Sequence, residues 1–271
     1  MNQGIHFISG LPRSGSTLLA AILRQNPRFH AGMSTVMGPL FSTIQPMLSA
    51  RSEYHVFMTD VKRNAILRSI FSSYYEDVHS DKVVFDTNRT WCGKVGAIGE
   101  LFPKARIICC VRSLVWIYDS IERLIAKNPL EPSRMFNYEA TSNVFARVNI
   151  LNSSSGLVRA SYNCLKDAYY GPHSEKLLLV TYESLTMKPA DTMAAIYNFL
   201  EESPYVHDFE NVELDLEEFD IRFGTRGLHT LKRKVEFVAR DPILPPELVM
   251  EHEKSAFWKN RDARGSRAQV I

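Results

Sequence analysis

The chain has 271 residues, of which 45% are hydrophobic and 23% are charged, and its formal net charge is +2. This length suits one α/β domain with an ordinary hydrophobic core. A net charge so close to zero excludes the strong attraction to nucleic acid that a basic protein has. No apolar run approaches the length of about 20 residues that crosses a bilayer, so we expect no membrane span.

The cysteines indicate a reducing compartment. Cys92, Cys109, Cys110 and Cys164 lack the spacing of metal ligands, and the adjacent pair lies in an apolar run typical of a buried strand. We therefore expect free thiols, no bound metal and a cytoplasmic protein. Only about six residues precede the core of the first predicted strand, which is too few for a signal peptide.

The first predicted elements are a strand over residues 5–9 and a helix over residues 16–25, joined by a loop between Gly10 and Gly15. This order directs backbone N–H groups and the positive end of a helix at one point, where a phosphate-like anion would bind. The loop nearly matches G-x-x-x-x-G-K-[ST], but Ser16 replaces the lysine that reaches the β- and γ-phosphates of a nucleoside triphosphate. Arg13 suits a doubly charged oxyanion. A glycine turn leading into a core helix is the alternative.

The segment 11–19, LPRSGSTLL, resembles the 5′-phosphosulfate loop of sulfotransferases that use 3′-phosphoadenosine 5′-phosphosulfate (PAPS). The resemblance implies a single α/β domain over residues 1–271, with a P-loop-like three-layer fold and a central, mainly parallel sheet flanked by helices. It also implies that the loop binds the donor through a set of five residues: Arg13, Ser14, Gly15, Ser16 and Thr17.

The general base is the open question in this resemblance. A strand is predicted over residues 29–33, followed by a helix that reaches residue 47. In many sulfotransferases that this chain resembles, the position near Met33 and Ser34 carries a glutamate that acts as the base. The chain has no acid there, so another residue must be considered.

The next predicted strand, over residues 82–85, ends in polar residues that are candidates for chemistry. Ligands of open α/β sheets gather beyond the carboxyl ends of the strands. Asp86 is the leading candidate for the base, and Arg89 is a candidate for polarising the sulfuryl oxygens; Asn88 lies between them. The alternatives are that Asp86 caps the turn and that Arg89 merely pairs with it.

A second binding region is predicted after the strand over residues 106–111. Arg112 ends that strand, and Ser120 follows on the next helix; together they resemble the family's 3′-phosphate site. An arginine supplies a bidentate, charge-assisted pair, and the serine adds a hydroxyl donor. A helix-face serine and an arginine paired with a carboxylate are the alternatives.

The rest of the chain predicts the acceptor side and the nucleotide cover. Residues 128–170 read as a helical insertion on the acceptor side, with a break near residues 152–156. A strand over residues 176–181 leads to Tyr182, which by resemblance lies beside adenine. A basic segment over residues 222–236 is expected to cover the nucleotide, with Arg226 and Lys232 as contacts.

These features predict sulfuryl transfer from PAPS to an acceptor hydroxyl, with 3′-phosphoadenosine 5′-phosphate (PAP) as the product. The acceptor is a peptide tyrosine, a sugar or a phenolic metabolite, and the loop pattern resembles the bacterial and tyrosylprotein branch. Dimers are common among similar enzymes, so a homodimer is one expectation. A P-loop-type kinase or hydrolase and a non-catalytic PAPS- or PAP-binding module are the alternatives.

Overall fold

A single parallel sheet forms the centre of the molecule. A computed structural model describes residues 4–49, 53–128, 134–136, 143–214, 220, 227–260 and 265–271. Within these residues six strands pair in the order β2-β3-β1-β4-β5-β6, and every neighbouring pair is parallel. The strands are β1 (Ile5–Gly10), β2 (Phe29–Ser34), β3 (Val83–Thr87), β4 (Ile107–Val111), β5 (Leu177–Thr181) and β6 (Gln269–Val270). The first five confirm the predicted strands; β6 was not anticipated, because two residues are too few to show a pattern.

Helices connect the strands, as parallel pairing requires. They are α1 (Ser16–Leu23), α2 (Met37–Met47), α3 (Asp60–Tyr74), α4 (Val95–Leu101), α5 (Leu114–Lys127), α6 (Val144–Leu151), α7 (Leu157–Tyr170), α8 (Tyr182–Met187), α9 (Pro189–Leu200) and α10 (Pro246–His252). Across the described ranges we find no helix with the length and apolar character needed to cross a bilayer.

The sheet is buried on both faces, which gives the three-layer α/β fold expected from the sequence. Alternate residues of a strand point to opposite faces, so Phe7 and Ile107 join one core while Ile8 and Ile108 join the other. The first core lies against α2 to α7 and α10, and the second lies against α1, α8 and α9. Strands that are covered on both sides are usually apolar along most of their length, as β4 is.

Helices α6 and α7 lie inside the region predicted as a helical insertion. Their buried residues belong to the same core as β1 and β4 and include Val148, Leu151, Val158 and Leu165. The break between the two helices falls after Leu151, in the predicted place. Helix α7 contacts β1, and α6 packs against α7.

The carboxyl end of β1 lies between those of β3 and β4, and this arrangement places the site. Gly10 ends β1 with φ of +113°, and a Cβ there would overlap the backbone carbonyl of Cys110 on β4. A left-handed backbone conformation is easy only for glycine. Only glycine therefore lets the chain leave β1 while β4 stays in register beside it.

Candidate functional site

The loop after β1 forms an open cradle of backbone donors. Arg13 and Gly15 adopt left-handed conformations, with φ of +58° and +96°. Gly15 is the N-cap of α1 and provides no side-chain cap, so the N–H groups of the first turn are not satisfied by a capping side chain. Ser16 and Thr17 begin the helix and are half-buried. This geometry suits an anion at the helix N-terminus.

Ser14, another of the five predicted loop residues, makes a contact within the loop. Its side chain is fully buried, and its hydroxyl donates to the carbonyl of Pro12 at 3.3 Å. This hydrogen bond joins two residues of the same loop. Ser14 is therefore placed to shape the loop through its backbone rather than to reach outward with its side chain.

Arg13 connects the loop to two distant segments. Its Nε donates to Oγ of Ser120 on α5 at 3.1 Å, and its Nη1 donates to the carbonyl oxygen of Leu228. Burial lowers the pKa of Arg13, and the nearby positive charge of Arg112 lowers it further. The structure thus brings the predicted 5′ residue Arg13 and the predicted 3′ residue Ser120 into direct contact.

Arg112 and Tyr182 stack at the ends of β4 and β5. The guanidinium carbon of Arg112 lies 4.0 Å from the centre of the Tyr182 ring, a cation–π distance. The same ring lies close to Gly15, where an added Cβ would come within 3.2 Å of it. Nε of Arg112 is buried and has no hydrogen-bond partner among the described residues. A buried donor without a partner is costly, so this one calls for an acceptor from a ligand.

Asp119 organises a second group of arginines beside this pair, and sequence reasoning missed it. The carboxylate has no exposed area and accepts bonds from Nη2 of Arg240 at 2.5 Å and from Nε of Arg123 at 3.1 Å. It also accepts the backbone N–H of Ile243 at 3.0 Å. The positive charge of Arg240 lowers the pKa of both Arg13 and Arg112.

No sequence signal identified Arg240, because it lies 121 positions from Asp119 and belongs to no motif. Helical spacing of the apolar residues predicts Trp116 and Ile125 on the inner face of α5, yet both are only half-buried and Asp119 is buried instead. A carboxylate is buried there because two guanidinium groups and a backbone N–H compensate it.

Arg89 lies beyond the end of β3, where the sequence predicted a site residue. Its backbone carbonyl accepts from Oγ of Ser9 at 2.9 Å, which ties it to β1. Within the described part of the chain its guanidinium forms no hydrogen bond or ion pair, and burial lowers its pKa. Asn88 shapes the turn, since its Oδ1 accepts from the backbone N–H of Thr90 at 3.1 Å. Arg89 is thus held beside the cradle without the predicted alternative partner.

Asp86 lies inside the protein, with 0% of its surface exposed. Its carboxylate accepts bonds from Tyr75 Oη at 2.5 Å, Thr35 Oγ1 at 2.8 Å and Trp91 Nε1 at 2.7 Å. Burial raises its pKa, and the three bonds act in the opposite direction. The structure therefore surrounds this candidate base with donors.

The two predicted cover residues are not brought to the cradle by any described contact. Arg226 lies outside the described residues. Lys232 has a side chain that is 67% exposed and pairs with Glu236 at 3.3 Å. The part of the cover segment that does reach the cradle is Leu228, through its carbonyl oxygen on Arg13.

The site is electropositive. Burial lowers the pKa of Arg13, Arg89 and Arg112, so each guanidinium is charged in a place where charge is costly. Among the described residues no three His, Cys, Asp or Glu side chains form a metal-binding group. A ligand with several negative charges would offset the mutual repulsion of these arginines.

Comparisons with known proteins show which sequences this chain resembles. A model described as the sulfotransferase family matches residues 6–206. A Caenorhabditis briggsae protein named "Putative protein-tyrosine sulfotransferase" is 25% identical over 230 residues, covering 78% of this chain and 71% of that protein.

Two of the solved structures that the chain matches are also described as sulfotransferases. The sulfotransferase domain of the Synechococcus PCC 7002 olefin synthase has a TM-score of 0.46 at 20% identity and covers 74% of each chain. A sulfotransferase from Alicyclobacillus acidocaldarius has a TM-score of 0.49 at 15% identity, covering 82% of this chain and 91% of that one.

Proposed function

The chain belongs to the sulfotransferase family, and we propose that it transfers a sulfuryl group from PAPS to an acceptor hydroxyl by in-line displacement. The observation that carries the choice of donor is the buried, unpartnered Nε of Arg112 beside the cradle. A donor with phosphate groups at both the 5′ and the 3′ positions matches two adjacent anion sites. A nucleotide without the 3′-phosphate would leave the second site empty.

In this proposal the cradle binds the 5′-phosphosulfate. The open first turn of α1 and the hydroxyls of Ser16 and Thr17 supply donors, and Gly15 permits the close approach. Arg13 and Arg89 would face the sulfuryl oxygens, where negative charge grows as the bond to the leaving phosphate breaks. Charged donors that are already in place stabilise such charge without reorganisation.

The 3′-phosphate is assigned to Arg112 and Ser120, with Arg240 as a third partner. Asp119 supports this role, because it fixes Arg240 and lies next to Ser120 on α5. The Tyr182 ring, which Arg112 already covers on one side, provides an apolar face for adenine. The nucleotide would therefore extend along the carboxyl ends of β1, β4 and β5.

Asp86 was predicted as the base, and its contacts favour a positioning role that can be tested. Thr35 Oγ1 donates to Asp86 and accepts the backbone N–H of Met37 at 3.1 Å, so the carboxylate holds the start of α2. If Asp86 positions this turn, Asp86→Asn lowers the free energy of unfolding and the turnover together. If it is the base, turnover is lost while stability and PAP affinity are kept.

The acceptor and the setting belong to the same proposal. A hydroxyl of a peptide tyrosine, a sugar or a phenolic metabolite would be attacked at sulfur after losing its proton to a base. All four cysteines are free thiols, which supports a reducing, cytoplasmic setting. A homodimer remains a prediction.

Calorimetric titration tests the donor. We expect PAP to bind much more tightly than adenosine 5′-monophosphate or Mg-ATP, because only PAP fills both anion sites. Equal affinities, or a preference for Mg-ATP, would overturn the assignment and favour a kinase-like protein. Transfer of labelled sulfate from PAPS to a tyrosine peptide, an oligosaccharide and 2-naphthol then distinguishes an enzyme from a binding module.

A further inference from the structure

Ser9, which directly precedes Gly10 in β1, holds the backbone of Arg89. Its Oγ donates to the carbonyl oxygen of Arg89 at 2.9 Å and accepts the backbone N–H of Cys92 at 3.0 Å. The residue is 3% exposed, so both bonds are made away from water. A hydroxyl has one proton to donate, and that of Ser9 is committed to this carbonyl. The two bonds therefore fix the side chain of Ser9 in one orientation.

Two further contacts hold the same segment against β1. Sγ of Cys92 lies 3.7 Å from the carbonyl oxygen of Arg89, so the thiol is a second donor to that carbonyl. The backbone N–H of Asn88 donates to the carbonyl of Ile8 at 2.9 Å. The backbone of Arg89 is therefore bonded to β1 directly before Gly10, where the cradle begins.

The rest of the connection after β3 is held as well, except for the Arg89 side chain. Nε1 of Trp91 donates to Oδ1 of Asp86 at 2.7 Å. The backbone N–H of Thr90 donates to Oδ1 of Asn88 at 3.1 Å. The Arg89 guanidinium has no bonding partner in the ranges that the structure describes, and burial lowers its pKa. A fixed backbone that carries an uncompensated buried charge is typical of a site organised for a ligand.

We propose that Ser9 is a positioning residue, which holds Arg89 so that its guanidinium meets the sulfuryl group of the donor. This inference rests on the proposed function. A guanidinium stabilises the charge that grows in a transition state best when it is already in place, because no reorganisation is then needed. Small displacements of such a group are costly, so the residues that support it matter. The hydroxyl of Ser9 is used within the protein, and Ser9 acts through Arg89.

A purely structural role for Ser9 has different consequences. The backbone carbonyl of residue 89 remains when its side chain is replaced, so loss of the Ser9 hydroxyl should cost the same stability with arginine or alanine at that position. An effect on catalysis that passes through the guanidinium disappears when the guanidinium is absent. Comparing the two backgrounds therefore separates stability from positioning.

A double-mutant cycle on turnover tests the positioning role, with PAPS and the best acceptor of the three classes. We expect Arg89→Ala to lower kcat by about 10²-fold or more, and Ser9→Ala to lower it by up to about 10²-fold. The double variant should turn over as slowly as Arg89→Ala alone. The affinity for PAP should be retained in all three proteins, because PAP lacks the sulfuryl group. Ser9→Cys should lie between Ser9→Ala and the unaltered protein, since a thiol is a weaker donor.

Ser161→Ala is the matched control. Ser161 is also 3% exposed, and its Oγ donates to the carbonyl of Leu157 at 2.9 Å within α7. The substitution removes the same kind of bond from a helix that carries no proposed site residue, so kcat should be unchanged. In urea unfolding, Ser9→Ala should lower the free energy of unfolding equally with arginine and with alanine at position 89.

Nuclear magnetic resonance of arginine-labelled protein tests the placement of Arg89 without turnover. Arg89→Lys removes one Nε–H signal and thereby identifies the signal of Arg89. We expect a single sharp signal in the unaltered protein and in Ser161→Ala, and a broadened or divided one in Ser9→Ala. An identical Arg89 signal in Ser9→Ala would overturn the proposal.

Two kinetic results would also overturn the proposal while the donor assignment stands. One is an unchanged kcat in Arg89→Ala; the other is the same proportional loss of kcat when Ser9→Ala is added to either background. If the unaltered protein does not bind PAP in calorimetry, or binds it without transferring sulfate from PAPS, the proposed function fails and the role of Ser9 fails with it.

Discussion

Arg13 Nε and Ser120 Oγ are 3.1 Å apart although 107 positions separate them in the chain. The bond joins the loop that follows β1 to the second turn of α5. One guanidinium therefore couples the proposed 5′ and 3′ anion sites. Loss of either group should disturb both sites.

A double-mutant cycle tests this coupling. We expect Ser120→Ala to weaken PAP binding and Arg13→Lys to lower the rate by about 10²-fold, as removal of a preorganised donor does. Because the residues are in contact, the effects on PAP binding should differ from additivity by about 0.5–3 kcal/mol. Calorimetry of the four proteins gives this value, and strict additivity would mean that the bond is absent in solution.

Arg112 should determine the preference for a 3′-phosphate. We expect Arg112→Ala to weaken PAP binding by about 10- to 100-fold, the value of a hydrogen bond to a charged group. Adenosine 5′-monophosphate should bind with little change, since it lacks the 3′-phosphate. Arg112→Lys is the matched control. Its affinity for PAP should lie between those of Arg112→Ala and the unaltered protein, because lysine keeps the positive charge but lacks the planar guanidinium group. An equal loss of affinity for both nucleotides would indicate that Arg112 acts only by supporting Tyr182.

Asp119 should matter for stability as well as for binding. Asp119→Asn removes the charge that compensates Arg240 and Arg123, and breaking a buried pair costs about 3–5 kcal/mol. Asp60→Asn is the control, since Asp60 is 83% exposed and pairs with Arg63 on the surface. Such a pair contributes about 1 kcal/mol or less. In urea unfolding, Asp119→Asn should lose much more free energy of unfolding than Asp60→Asn. Similar losses of stability in the two variants would contradict the role of Asp119.

Gly10 should tolerate no side chain, whereas Gly4 should. Both have left-handed backbones, with φ of +113° and +122°. A Cβ on Gly10 would overlap the carbonyl of Cys110, but nothing lies within 4 Å of a Cβ on Gly4. Both alanine variants carry backbone strain of about 1–2 kcal/mol, so the excess loss in Gly10→Ala measures the overlap with β4. Thermal unfolding of the two variants provides the comparison.

His6 should make the protein sensitive to mild acid. Burial lowers the pKa of His6 from 6.5 to about 4, and its Nδ1 accepts the backbone N–H of Arg106 at 3.1 Å. The unfolded chain protonates first as the pH falls, so this stabilisation is complete above pH 6.5 and is lost toward pH 4. The shift corresponds to about 3 kcal/mol.

His6→Asn isolates this contribution, because an amide oxygen can accept the same bond without taking up a proton. We expect its free energy of unfolding to depend less on pH between 6.5 and 4 than that of the unaltered protein. His30, His207 and His252 also have lowered pKa values, and they contribute equally to both proteins. If the free energy of unfolding varied with pH in the same way in both proteins, His6 would be excluded as a source of the acid sensitivity.

The amino-acid sequence by itself was enough to predict the first five strands and the glycine-bounded loop after β1. Apolar runs were enough to predict β4 and β5. The loop could be predicted from Gly10, Arg13 and Gly15, because its geometry depends on residues that are neighbours in the chain. Periodicity and turn chemistry are local properties, so local residues suffice to reveal them.

Tertiary structure alone decided which charges meet. Arg240 reaches Asp119 from 121 positions away, and Leu228 reaches Arg13 from 215 positions away. Two of the donors that enclose Asp86, Thr35 and Tyr75, lie 51 and 11 positions away in the chain. Such contacts depend on how the connections cross the sheet, and the energy of a buried charge depends on all the groups around it.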